Sequence, residues 1–213
     1  MGAKVTCELY HNHRINKQEA NLLLGFCNNI GPAYFLGIIT PILSVCEVPS
    51  ILPYISGLYI IPLLYGILLF RIHAPKSNDS IQSKQQPPMR VIHAIRTACV
   101  DNTQSIILLG GYVTFVNSLR AFLVPLPFDA STKAILGSII EINSGIQDIY
   151  LTELPNEQKI FWIMLALSFS SISCFIQAAG FILREKLSFK LYIQNHCIVT
   201  AISTLYYFVI TNL

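Results

Sequence analysis

The sequence predicts an all-α polytopic membrane protein with about five transmembrane helices, two of them broken at mid-depth, plus one re-entrant helical hairpin. Two observations carry this prediction. Of the 213 residues, 53% are hydrophobic and only 12% are charged, where a soluble domain carries about 25% charged residues. The charges that remain fall in clusters between apolar runs long enough to cross a bilayer. Residues 1–213 are therefore expected to form a single membrane domain whose first partner is the lipid bilayer. The net charge of +3 is too small to point to nucleic acid, and it sits in loops, where it sets topology. No basic n-region, short apolar core and small-residue cleavage site opens the chain, so no removable signal peptide is expected.

Glu19 to Cys46 is apolar and long enough to span, yet Asn28, Asn29, Gly31 and Pro32 lie near its middle. In hydrocarbon an unpaired backbone group costs several kcal/mol, so such an interruption survives only where protein or a water-filled cavity satisfies the freed groups. Pro32 is expected to end a half-helix near the bilayer centre, because proline lacks an amide donor and clashes with the preceding turn. Ile51 to Phe70 is a plain span that tolerates Pro53 and Pro62. Residues 71–90 hold Arg71, Lys76, Lys84 and Arg90 against the acid Asp79, which makes them a cytoplasmic polar linker by the positive-inside rule. Val91 to Asp101 sets apolar residues opposite Arg90, His93 and Arg96, and is expected to lie in the cytoplasmic interface. Gln104 to Val124 then spans, with Gly110 and Gly111 allowing close helix packing and Arg120 snorkelling at the outer end.

Ala134 to Leu151 contains Glu141, Asn143, Ser144, Gly145, Gln147 and Asp148, too many polar groups for a lipid-facing span. The next span, Ile160 to Leu183, ends at Arg184, Lys186 and Lys190, so it runs from outside to inside. Asp129 and Glu157 then share the outer side, and residues 134–152 must enter and return as a hairpin with Asn143-Ser144-Gly145 at its tip. Asp148 and Glu153 are expected near the outer surface, in water. Leu191 to Leu213 crosses back outward, while Lys4, Arg14 and Lys17 are placed inside and Glu47 outside.

Three interruptions are thus expected to converge at mid-depth, where broken helices offer half-helix N-termini to anions and unwound carbonyls to cations. The candidate solute-binding residues are Asn28, Asn29, Gly31, Pro32, Glu141, Asn143, Ser144, Gly145, Ser170 and Gln177. Serine runs also serve as packing glue, and Gly-Pro also makes simple kinks. An intramembrane carboxylate costs about 2.5–3.5 kcal/mol even on the lenient scale, which makes Glu141 the strongest candidate, as an ion ligand or a proton carrier. The six cysteines are scattered without a CxxC or metal-ligand spacing. Cys27 and Cys174 alone leave open a metal-ion gate. Neither GxSxG, HExxH nor a phosphate loop occurs, and His11-Asn12-His13 has no companion acid, so neither enzymatic chemistry nor a cofactor is expected.

Gly2-Ala3-Lys4, Glu8-Leu9-Tyr10, Glu19-Ala20, Leu22-Leu23, Phe26-Cys27-Asn28-Asn29 and Gly31-Pro32 resemble the middle of the YlbJ family of sporulation integral membrane proteins. The later Gly110-Gly111, Gly137, Glu141-Ile142, Ser144-Gly145-Ile146, Ser168-Phe169 and Gln177 resemble the rest of it. That family belongs to a larger set carrying the nucleoside-transporter and ferrous-iron-transporter gate domain. The likeness covers nearly the whole chain in one order. Two features depart from the pattern: family members are much longer, and their Gly-Gly after Ser-Phe is Ser170-Ser171 here. The resemblance implies a C-terminal half of a transporter-class protein, in the mother-cell or forespore membrane, handling a small polar solute or ion. Since gate-type transporters pair two related halves, it also implies a partner, either a second copy or a separately encoded N-terminal half. The alternative is a structural or interaction subunit without transport, or a decayed fragment.

Overall fold

A computed structural model describes residues 2–73 and 91–212, so all but the first three residues of the linker expected over 71–90 lie outside the described residues. Every regular element among the described residues is a helix. Four continuous or once-broken stretches are long and apolar enough to cross a membrane: Leu52–Ile72, Ile95–Leu123, Asn156–Arg184 and Phe189–Thr211. The protein is an all-α, multi-pass membrane protein.

Helices α1 (Gly2–His11) and α2 (Lys17–Leu24) pack against each other as an antiparallel pair. Asn16 opens α2 with a capping box: its side chain accepts from the Glu19 amide, and the Glu19 carboxylate accepts from the Asn16 amide, both at 2.8 Å. After Leu24 the chain leaves helical geometry, and Gly31 is extended (φ −67°, ψ 141°). Helix α3 (Pro32–Val45) follows. The expected break is therefore present, but Pro32 opens the second half-helix instead of ending the first. The first turn is where a missing amide donor costs nothing. Within α3 the turn Phe35–Ile39 widens to π geometry just before Pro41, which relieves the clash of a mid-helix proline with the preceding carbonyls.

Helix α4 (Leu52–Ile72) runs antiparallel to the final helix, α10 (Phe189–Thr211). Tyr207 and Tyr206 donate to the carbonyls of Tyr54 and Pro53 at one end, at 3.1 and 3.0 Å, and Tyr65 donates to Asn195 Oδ1 at 2.8 Å towards the other. Helix α5 (Val91–Leu119) is one continuous helix of 29 residues. The stretch Val91–Asp101, expected in the interface, is continuous with the following span as one helix. Nothing lies within 4 Å of where a side chain on Gly110 or Gly111 would stand, so these glycines do not mediate packing among the described residues.

The re-entrant hairpin is α6 (Ala130–Ile140, 11 residues) and α7 (Ile142–Leu151, 10 residues). At about 1.5 Å per residue each arm reaches about half of a 30 Å hydrocarbon core. Its tip is the single extended residue Glu141 (φ −140°, ψ 121°), two residues before the expected Asn143-Ser144-Gly145. Those three form the first turn of α7 instead. The arms touch because Gly145 has no side chain: a Cβ there would collide with the backbone of Ser138. Helices α8 (Asn156–Phe169) and α9 (Ser171–Arg184) form the second broken passage. Ser170 and Ser171, at φ 73° and 75°, occupy the left-handed region at the break.

Two apolar clusters make the core. One gathers Phe35, Leu43, Tyr54, Ile146, Met164 and Leu167; the other gathers Ala3, Leu24, Ala178, Ile182 and Tyr192. Each broken passage changes cluster as it crosses its break, from Leu24 to Phe35 and from Leu167 to Ala178. Both breaks therefore lie at the level between the clusters. Outside, Leu63, Leu64 and Ile67 of α4, Ile106 and Ile107 of α5, and Leu205 and Phe208 of α10 are exposed. Such an apolar exterior is compatible with contact to lipid tails.

Candidate functional site

At the α8–α9 break the last carbonyls of α8 lose their helical donors. Helix α10 replaces them: Thr200 Oγ1 donates to Ser168 O at 3.0 Å, and His196 Nε2 donates to Phe169 O at 2.9 Å. On the other side of the break, Ser171 and Ser173 exchange a hydrogen bond of 3.0 Å and no side chain caps the N-terminus of α9. Ser170 is buried in this turn. At the α2–α3 break, Asn28 Nδ2 donates to the Tyr192 hydroxyl at 2.8 Å, and Asn29 Nδ2 donates to Phe26 O at 2.9 Å. Asn29 thus serves its own backbone, while Gly31 and Pro32 are exposed.

Glu141 is fully buried. Its Oε1 accepts from the backbone and side-chain amides of Asn143 at 3.1 and 2.7 Å, and its Oε2 accepts from the Ser144 amide at 2.9 Å. These donors, with the dipole of α7, hold the carboxylate as a helix cap. Tyr34 and Cys174 lie within electrostatic range of it, which brings the hairpin tip to the level of both breaks. Gly145 contributes the close approach of α6 and α7, with no polar group of its own.

The two breaks share a cleft. A narrow cavity of about 20 Å³ is lined by Lys4, Asn28, Ser105, Cys174 and Gln177, and it adjoins a wider one of about 270 Å³ towards Glu8, Asp101 and Arg184. Asn28 and Gln177 therefore line one cavity; the amide of Gln177 has no hydrogen-bond partner among the described residues. Glu141, Asn143 and Ser144 form a separate network at the hairpin tip. Lys4 and Ser105 were missed. Lys4 reads in the sequence as an inner topology charge, yet its side chain is only 17% exposed and its Nζ donates to Ser105 Oγ at 2.9 Å. The one sequence signal is its position two residues after the Gly2 whose missing side chain lets α1 abut the Cys27 carbonyl.

Arg120 pairs with Asp148 of α7 and donates to Asn117 Oδ1 at 3.2 Å, with Gly137 leaving room for its guanidinium. Asp148 is accordingly an ion-pair partner that ties the turn Arg120–Leu123, directly after α5, to the hairpin. At the start of α6, Asp129 accepts from the Thr132 hydroxyl and amide, at 2.6 and 3.0 Å, and these bonds hold its carboxyl below the ordinary carboxylate range. Among the described residues no group of three or more His, Cys, Asp or Glu side chains gathers as a metal set would. Comparisons of the chain with protein-family models, with curated proteins and with solved structures find no match.

Proposed function

We propose that this chain is the gate-type part of a membrane permease that handles a small polar solute at mid-depth, and that it is not an enzyme. The observation that carries the reading is the cleft in which Asn28, from one broken passage, meets the amide of Gln177, from the other, which has no partner among the described residues. Amides at such a place satisfy polar solute groups that lipid would leave bare. The resemblance to sporulation membrane proteins supports a site of action in the mother-cell or forespore membrane. Reconstituted in liposomes, the protein is expected to take up one or more of a panel of small labelled polar solutes. Gln177→Leu is expected to abolish that uptake while insertion and folding persist. A folded protein that moves none of them, in which Gln177→Leu changes nothing, would overturn the reading.

One observation favours a second reading, a structural subunit without transport. Glu141, the residue with the strongest functional claim in the sequence, spends its whole carboxylate on its own helix. Under that reading Gln177→Leu is silent and only Glu141 variants have an effect, through stability.

A further inference from the structure

The narrow and the wide cavities have Lys4, Ser105 and Phe181 in common. These three residues come from α1, α5 and α9, so the neck between the cavities is where three helices meet. The neck is closed on one side by the hydrogen bond of 2.9 Å from Lys4 Nζ to Ser105 Oγ. The nearest carboxylate oxygen to that ammonium belongs to Glu8, at 3.8 Å, and the Glu8 side chain is 54% exposed while that of Lys4 is 17% exposed. The positive charge is thus drawn into the protein, and its counter-charge stays outside in water. The wide cavity carries both signs, with Glu8 and Asp101 against Lys4 and Arg184. Beyond the neck, Lys4 is the one charged residue lining the narrow cavity among the described residues, beside the amides of Asn28 and Gln177.

We propose that Lys4 is a charge filter at this neck, and that the solute admitted to the floor of the cleft is a small organic anion. A partly desolvated unit charge acts on anything that passes within a few ångströms, because the low-dielectric walls do not screen it as water does. An ammonium held by a hydroxyl, with only a loose carboxylate neighbour, is free to exchange that hydroxyl for an anionic group and repels a cation at the same point. The amides beyond it then supply hydrogen bonds, and the acid within range of Cys174, Glu141, has its carboxylate held by the Asn143 and Ser144 donors. This deepens the permease reading and rests on the cleft being the solute path.

Cys174 is a free cysteine lining the floor, which gives a test independent of any transported solute. The native chain in neutral detergent is treated with two methanethiosulfonates of similar size, the anionic sulfonatoethyl and the cationic trimethylammonioethyl reagent. Modification at Cys174 is followed by peptide mass, with each rate divided by that of the same reagent on a free thiol. The anionic reagent is expected to be favoured by about tenfold, with Lys4→Gln removing the preference and Lys4→Arg keeping it. Equal rates, or a cationic preference, in the native chain would overturn the filter and leave the permease reading standing. A Cys174 inert to both reagents would overturn both, since the cleft would then admit nothing to its floor. The decisive comparison is within the native chain, so it stands even where a Lys4 variant fails to fold.

Discussion

A buried carboxylate in a membrane invites a catalytic or transport role, but the partners of Glu141 define a narrower one. Three donors reach its two oxygens, and all three belong to Asn143 and Ser144 in the first turn of the helix it caps. The charge is held by its own peptide dipoles, as at any well-capped helix N-terminus, and needs no cation. Glu141→Gln replaces one acceptor oxygen by an NH₂ group facing a backbone N–H. It is expected to lower stability by about 2 kcal/mol, since charge-assisted bonds are lost and one buried amide is left unpaired. Thermal unfolding of the purified protein in detergent measures this. An unchanged midpoint, with solute handling lost, would return Glu141 to the role of ion ligand or proton carrier.

The elements show why some breaks are legible in a sequence and others are not. Asn28 to Pro32 announces itself, because proline and glycine have direct backbone consequences; only the side of the break on which Pro32 falls was misplaced. Ser170 and Ser171 carry no such signature, and the left-handed turn they adopt is imposed by packing, with Thr200 and His196 waiting on α10 for the freed carbonyls. Lys4 and Ser105 are 101 residues apart, a pairing that no local pattern encodes. Glycines show the same limit. Gly110-Gly111 looks like a packing motif and touches nothing, whereas Gly145 looks like a hairpin tip and is a contact between arms. Gly145→Ala is therefore expected to cost about 3 kcal/mol, because its Cβ meets the backbone of Ser138, which cannot yield as a side chain would. Gly110→Ala is expected to be neutral or to stabilise by about 0.5–1 kcal/mol, as alanine does in an open helical position. The two unfolding midpoints, taken side by side, check this; equal losses would mean that the hairpin arms do not make this contact.

At the scale of the whole molecule, the two ends of the helical layer are tied differently. The end of α1 meets the end of α9 through His11 Nδ1 and Glu185 Oε2, at 3.2 Å, beside Arg14, Arg184 and Lys186. The opposite end carries the start of α6 at Asp129, where Lys133 Nζ donates to Val124 O at 2.9 Å, and the outer ion pair of Arg120 with Asp148. The basic excess thus gathers at the α1–α9 end, which by the positive-inside rule is expected to face the cytoplasm. In the sequence the rule concerns loops, and in the fold it concerns two surfaces, since residues distant in the chain must share a side. His13 and Ala130 are exposed at the two ends. Single cysteines placed at each, with the native cysteines replaced, should therefore answer differently to a membrane-impermeant maleimide. Ala130→Cys is expected to react in intact cells, and His13→Cys only after permeabilisation. Equal labelling of both from outside would place the α1–α2 turn and the hairpin on one side of the bilayer. That result is incompatible with half-helices that meet between the two core clusters from opposite surfaces, and it would sink the topology.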